Sequence, residues 1–239
     1  MDGPAREEPK RPRGRPAVGR ARIIEAALGV LDEEGADALT FRAVAKRLSS
    51  STATLYRHIE GRSELLGLVM DYLLGEADGQ IRAQLGTNAN WDEVCRNSAR
   101  ISYRVMSSHN ASAHLFTNKF PLGPNGLVIR ERMLAALLQA GFPPLTSVNT
   151  VAMISHYVVG FAMQNDATVS RSSLEDTFLG KGGDRYPATA SVVHLLPRPL
   201  DEEFEFGLDL ILQALNNGLP GAAPPVGQRQ RPPQSREGA

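Results

Sequence analysis

Three consecutive serines, Ser49-Ser50-Ser51, divide a helical hydrophobic pattern into two short pieces. This break constrains the fold more than any other feature of the chain. Upstream, Thr40 is placed to cap a helix whose Val44, Ala45 and Leu48 recur at helical spacing. Downstream, Ser51 or Thr52 caps a short helix running through His58, with Leu55 and Ile59 turned inward. A longer amphipathic helix over about 21–34 precedes both, with Ile24, Ala27, Leu28 and Leu31 on its apolar face and Gly35 as its stop. Helices this short are unstable alone in water, so the two pieces must pack on the longer one. A long helix followed by two short ones across a tight turn is the helix-turn-helix layout. The layout requires outward side chains that reach phosphates and base edges. Thr52, Thr54, Tyr56, Arg57 and His58 fill that role here, with Arg42, Lys46 and Arg47 on the preceding helix.

The charge distribution points the same way. Lys plus Arg and Asp plus Glu both number 26, so the formal net charge is zero. Residues 1–62 nevertheless hold 12 basic and 9 acidic groups, which sets a basic end on an acidic remainder. Residues 1–20 carry four Pro and three Gly and read as a disordered basic arm. Within it, Lys10-Arg11-Pro12-Arg13-Gly14-Arg15-Pro16 resembles an AT-hook core, a chain that lies in a narrow minor groove, with Arg13 and Arg15 as the contacting residues. Residues 218–239, with five Pro and four Gly, read as a disordered tail. The N-terminus lacks the apolar stretch of a secretory signal, and no uninterrupted apolar run approaches the length of a membrane span. The one cysteine, Cys95, forms no internal disulfide and fits a reducing cytoplasm, as a small buried residue without an activated thiol.

The body between the ends has helical period and little alternation, so an all-α fold is expected: a three-helix head joined to a larger helical domain. A fourth helix begins near Arg62-Ser63 and buries Leu65, Leu66, Val69, Leu73 and Leu74. Asn90, three residues before Glu93, opens a fifth with a capping box. A short helical piece is expected around Ala111–Thr117, a helix over 127–140 ending at Gly141, and one from Thr146 or Ser147 to about Asn165. Residues 167–198 show no clear period and read as a long loop. Asp201-Glu202-Glu203 starts a final helix with the stripe Phe204, Leu208, Ile211, Leu212 and Leu215. The domains read as an arm over 1–20, a head over 21–66, a body over 67–217 and a tail over 218–239.

The stretch Leu39-Thr40-Phe41-Arg42-Ala43-Val44-Ala45-Lys46-Arg47-Leu48, then Thr54-Leu55-Tyr56-Arg57-His58, then Arg62-Ser63-Glu64-Leu65-Leu66, resembles the TetR family of bacterial transcriptional regulators, and in particular its tetracycline-repressor branch. Residues 20–75 carry the likeness. It implies an all-helical homodimer with a small DNA-binding head and a larger ligand-binding and dimerisation body. On that resemblance Arg42 reads a base, and Thr52, Ala53 and Thr54 form the first turn of the recognition helix. Tyr56 and His58 contact phosphate, Arg57 shifts the specificity, and Arg62 grips the backbone. Ser49 and Ser50 depart from the family's turn, which carries glycine and an apolar residue; against that pattern Ser49 is expected to adopt a left-handed backbone at some energetic cost and Ser50 to leave a thin spot in the core.

Tyr103, Met106, His109, Phe116, Phe120, Met133, His156 and Tyr157 are candidates for a ligand pocket, each weighed against plain core packing, with Trp91 as a further apolar residue. His109 and His114 without a nearby carboxylate are poor metal ligands, so no metal and no cofactor are expected. Val148, Val151, Ala152, Ser155, Val159 and Ala162 form a small-residue stripe suited, with the final helix, to a four-helix dimer interface. The sequence holds no Gly-rich phosphate loop, no H-E-x-x-H and no G-x-S-x-G, and no catalytic residue is assigned. The expected function is a ligand-responsive, sequence-specific DNA-binding regulator, a repressor released from a palindromic operator by an unknown small-molecule effector. Its partners would be double-stranded DNA, that effector and a second copy of itself, without a membrane, in the cytoplasm. A constitutive DNA-binding regulator and an enzyme with an incidental helix-turn-helix are the competing readings.

Overall fold

The protein is described from a computed structural model covering residues 19–109, 115, 123–164, 171–181 and 185–218. The arm with Arg13 and Arg15, the tail beyond 218, His114, Phe116 and Phe120 lie outside the described residues, as does most of the piece expected at 111–117. Every element with regular structure among the described residues is helical. The order is α1 (Arg20–Glu34), α2 (Phe41–Arg47), α3 (Thr52–Tyr56), α4 (Arg62–Gln84), α5 (Trp91–Ser108), α6 (Pro124–Gln139), α7 (Pro144–Ala162), α8 (Arg171–Glu175), α9 (Pro187–Val192) and α10 (Leu200–Asn217). The all-α fold expected from periodicity is thus the one observed.

α1, α2 and α3 pack around Ile23, Ala27, Leu31, Leu39, Val44, Leu55 and Ile59, all at or near full burial. α4 leaves this head at Arg62 and runs into the body, burying Leu65, Val69, Leu73 and Leu74 as expected. α5 is the central body helix and packs on α4, α6, α7 and α10. Its start carries the capping box: Glu93 N–H donates to Asn90 Oδ1 at 3.0 Å, and Asn90 N–H donates to Glu93 Oε2 at 2.9 Å. α6 stops at Gly141, whose φ of 90° lets its N–H reach the Leu138 carbonyl while the Phe142 N–H reaches that of Leu137. Phe142, buried here, takes the edge of the Trp91 ring at a centroid distance of 5.0 Å.

A polar ladder fixes α10 against α5. Arg96 bridges Asp92 and Asp209, Arg100 holds Glu205, and the Tyr103 hydroxyl donates to Asp201 Oδ1 at 3.0 Å. Beneath it, Tyr103 stacks on Phe204 at 4.2 Å, and the Tyr157 hydroxyl donates to the Phe204 carbonyl at 2.8 Å. Gly207 makes room for that hydroxyl, since a Cβ there would collide with it.

Three expectations are corrected. α7 begins at Pro144, not at a Thr146 or Ser147 cap; Ser147 is fully buried and its hydroxyl donates back to the Pro143 carbonyl. The long loop over 167–198 contains α8, a continuing π-helical turn over Asp176–Lys181, α9 and a 3₁₀ turn over Val193–Leu195. Each piece is too short to impress a period on the sequence. In the small-residue stripe, Val151 and Ala162 are buried inside their own chain. α7 also passes the length and composition test for a membrane span that no uninterrupted apolar run suggested, with a mean hydropathy of 1.2 and a third of it buried.

Candidate nucleic-acid interface

α2 ends on the two hydrogen bonds of a Schellman turn. Ser49 N–H donates to the Lys46 carbonyl at 3.0 Å and Ser50 N–H to that of Ala45 at 2.9 Å. Ser49 takes the left-handed conformation this requires, with φ 50°. The serine triplet therefore breaks the rod by turn geometry. Ser50 is half-buried at the margin of the core, so the expected thin spot does not fall at its centre. Thr40 and Ser51 cap the two short helices, their side chains accepting from Ala43 N–H and Thr54 N–H at 3.2 Å each.

α3 ends at Tyr56, not at His58 as expected, with Arg57 as its C-cap; at five residues its orientation depends on what it touches. Leu55 and Ile59 anchor the inner side. The Tyr56 ring stacks on Phe41, the first residue of α2, with centroids 4.5 Å apart. Thr52, Ala53, Tyr56, Arg57 and His58 are exposed, and Thr54 is half-buried, its hydroxyl 3.1 Å from that of Ser51. One side of α3 thus faces solvent with hydroxyl, phenol, guanidinium and imidazole groups. Arg42 and Lys46 are exposed on α2, and with Arg57 they have no ion-pair partner among the described residues.

Two cations differ from the rest. Arg47, expected on the outer side, is turned back across Gly29 and forks onto Glu33 of α1, with Nη1 and Nη2 at 2.6 and 2.7 Å. A Cβ at Gly29 would push the guanidinium away. The pair holds the Glu33 carboxyl below its ordinary range and raises the Arg47 guanidinium, both chiefly through the side-chain hydrogen bonds. Its task is to join α1 to α2. Arg62 is exposed, and its Nε donates to the Leu39 carbonyl at 3.3 Å, which holds the start of α4 against the turn before α2.

Among the described candidate ligand residues, Tyr103 and Tyr157 come together at Phe204, with ring centroids at 4.2 and 5.2 Å, and both hydroxyls are already committed. Tyr103 is buried and committed to Asp201, and burial followed by that hydrogen bond pushes its phenol up to about 12. Tyr157 is committed to α10, and burial raises its phenol too. Met106 and Met133 are buried in the body, whereas His156 is exposed on α7. His109, expected to have no nearby carboxylate, ends α5 beside Asp32 of α1 and Glu76 of α4, partners 77 and 33 residues away that only the packing brings close. Among the described residues no group of three His, Cys, Asp or Glu side chains is arranged to hold a metal. Sequence reading missed two buried polar atoms without a hydrogen-bond partner, the Ser98 hydroxyl on α5 and Arg132 Nη1 on α6. Their helical positions carry no local signal, because an orphan is defined only once the neighbours are in place.

Two family models match this sequence. One, bacterial regulatory proteins of the tetR family, covers residues 23–69; the other, the tetracyclin repressor-like C-terminal domain, covers 85–218. An HTH-type transcriptional regulator of Saccharopolyspora erythraea is 30% identical over 76% of this chain and 77% of its own. A class G tetracycline repressor protein of Vibrio anguillarum is 27% identical over 82% of this chain and 92% of its own. Among solved structures, the Streptomyces coelicolor TetR family protein ActR with (S)-DNPA superposes with a TM-score of 0.75 at 29% identity, over 85% of this chain and all of that one. ActR has also been solved with actinorhodin, with a TM-score of 0.74 at 29% identity over 86% of this chain and 99% of that one.

Proposed function

The chain belongs to the TetR family of bacterial regulatory proteins, and from that premise we propose that it is a ligand-responsive, sequence-specific repressor that leaves a palindromic operator when a small molecule binds its body. The observation that carries this reading is the solvent-facing row of α3. Thr52, Ala53, Tyr56, Arg57 and His58 project outward from a helix whose other side is fully anchored, with Arg42 beside them. Arg42 and Arg57 are assigned to base edges, Tyr56, His58 and Arg62 to phosphates, and Thr52, Ala53 and Thr54 to the first turn in the groove. Arg13 and Arg15 add minor-groove contact from the arm. The working division is an arm over 1–20, a head over 21–66, a body over 67–217 and a tail over 218–239.

One such helix rarely supplies specific affinity alone, so the functional unit is a homodimer. Its interface is the outward side of α7 and α10, where Leu145 is 72% and Phe206 67% exposed and Val148 and Leu210 lie alongside. Phe206 and Leu210 are offset from the buried stripe Phe204, Leu208 and Leu212, so α10 is apolar on two sides. The effector is assigned to the body, where Met106 and Met133 are buried and the Ser98 hydroxyl on α5 and Arg132 Nη1 on α6 are left without a hydrogen-bond partner. The relatives are named as regulators, and the same non-enzymatic role is assigned here, in the cytoplasm where the DNA is.

Selection of bound fragments from a random DNA pool by the purified protein tests the reading. The expected result is a near-palindrome with half-sites about 34–36 Å apart. Recovery of unrelated sequences, or a monomer by sedimentation at micromolar concentration, overturns it.

A further inference from the structure

We infer that His109 is a positioning residue of the DNA-binding head, a pin between the central body helix and α1; this rests on the functional reading above. The imidazole lies between two carboxylates on two other helices. Nδ1 is 3.1 and 3.2 Å from the two oxygens of Asp32, and Nε2 is 3.6 Å from Glu76 Oε2. Asp32 sits in the last turn of α1, within the head. Glu76 sits on α4, the shaft that joins head to body. His109 itself is the residue at which α5 ends. One side chain thus touches the head, the shaft and the core helix of the body.

The two ring nitrogens face different carboxylates, so the ring acts as a spacer between them. Nδ1 is within hydrogen-bond distance of Asp32, whereas Nε2 stands at ion-pair distance from Glu76. The His109 side chain is 20% exposed, which screens the contact less than an open surface pair. The apolar packing of α1 on α4 is strong but non-directional and leaves rotation about the shaft weakly specified. A polar contact at a fixed angle supplies what that packing lacks. α1 is pinned at both ends: Arg20 pairs with Glu64 at its start, and Asp32 with His109 near its finish. The first pin travels with the shaft. The second ties the head to α5, so any displacement of the end of α5 is felt at α1.

Two heads must meet two half-sites at one separation, and a head held loosely loses more orientational freedom on docking. His109→Ala and Asp32→Ala in the full-length protein should each weaken binding to the selected operator about tenfold. Binding to random-sequence DNA should change less than twofold, because it depends on charge and not on head separation. The double variant should be no weaker than either single one, as two halves of one contact require. His109→Gln, which keeps an N–H on that side chain, should recover most of the affinity, and thermal unfolding should stay within a few degrees throughout. Full operator binding by the alanine variants overturns the inference, as does a hundredfold loss in the double variant or a parallel loss on both DNAs. If the wild-type protein selects no sequence at all, the functional reading falls and this inference with it. If it selects an operator that His109→Ala binds equally well, this inference falls alone.

Discussion

The ring of Tyr56 lies on that of Phe41, with the two planes 18° from parallel, so the exposed face of α3 is braced by the first residue of the helix before it. Tyr56 remains 57% exposed in this position, and its hydroxyl has no partner among the described residues. Tyr56→Phe keeps the brace and removes the hydroxyl. Binding of the dimer should weaken about thirtyfold, the worth of two hydrogen bonds of roughly 1 kcal/mol, one in each head, and by the same factor on every operator variant. A loss confined to one base position, measured by gel shift on a panel of operator mutants, would reassign Tyr56 to base reading.

Arg57 follows the brace and is exposed at the end of α3 without an ion-pair partner among the described residues. Arg57→Ala should relax preference at one position in each half-site, by about 1–3 kcal/mol if the guanidinium forks onto a guanine. Repeating the random-pool selection with the variant reads this directly. A selected motif identical to the parent's would move Arg57 to a phosphate.

The arm carries Lys10, Arg11, Arg13 and Arg15 around Gly14. Deletion of residues 1–19 should lower operator affinity and make its dependence on salt shallower by roughly two to four logarithmic units per decade, one for each phosphate no longer neutralised. Titration at several salt concentrations checks it, and an unchanged slope would leave the arm without a DNA contact.

Ser49 holds φ at 50° in the turn between α2 and α3. A β-branched residue tolerates this poorly, so Ser49→Val should lower stability by about 1–2 kcal/mol. Ser49→Gly should be far milder, because glycine takes that conformation freely. Thermal unfolding of the two variants gives the comparison, and equal melting temperatures would mean the turn relaxes at no cost.

Cys95 is fully buried in α5, and burial, with Asp92 nearby, pushes its thiol up to about 12. Its thiolate is therefore scarce at any neutral pH. A disulfide exchange reagent at pH 8 should find no thiol in the native protein and one per chain in denaturant. Reaction in the native state would show that α5 opens locally.

What could be read in advance depended on distance along the chain. Helix caps at Thr40, Ser51 and Asn90, the stop at Gly141 and the inward residues of α2 and α3 arise from periodicity and hydrogen bonds within about five residues and are legible in the sequence; the left-handed turn at Ser49 was legible only through the family resemblance, and Ile24 of α1 and Leu66 of α4, expected on buried faces, are half-buried. The solvent-facing row of α3 was legible from the same periodicity, because its inward partners Leu55 and Ile59 fix which side is left over. The side-chain commitments were not. Arg47 reaches Glu33 across 14 residues, His109 reaches Asp32 across 77, and Tyr103 reaches Asp201 across 98. An arginine, histidine or tyrosine carries the same local signature whether it faces DNA, a ligand or another helix. Local hydrogen bonding and the helical period therefore settled the long helices and the exposed face of α3 from sequence alone, but not the start of α7 or the short helical pieces between 171 and 195. The packing of α1, α4, α5 and α10 decided which polar side chains remained free to act, because only packing brings their partners within reach.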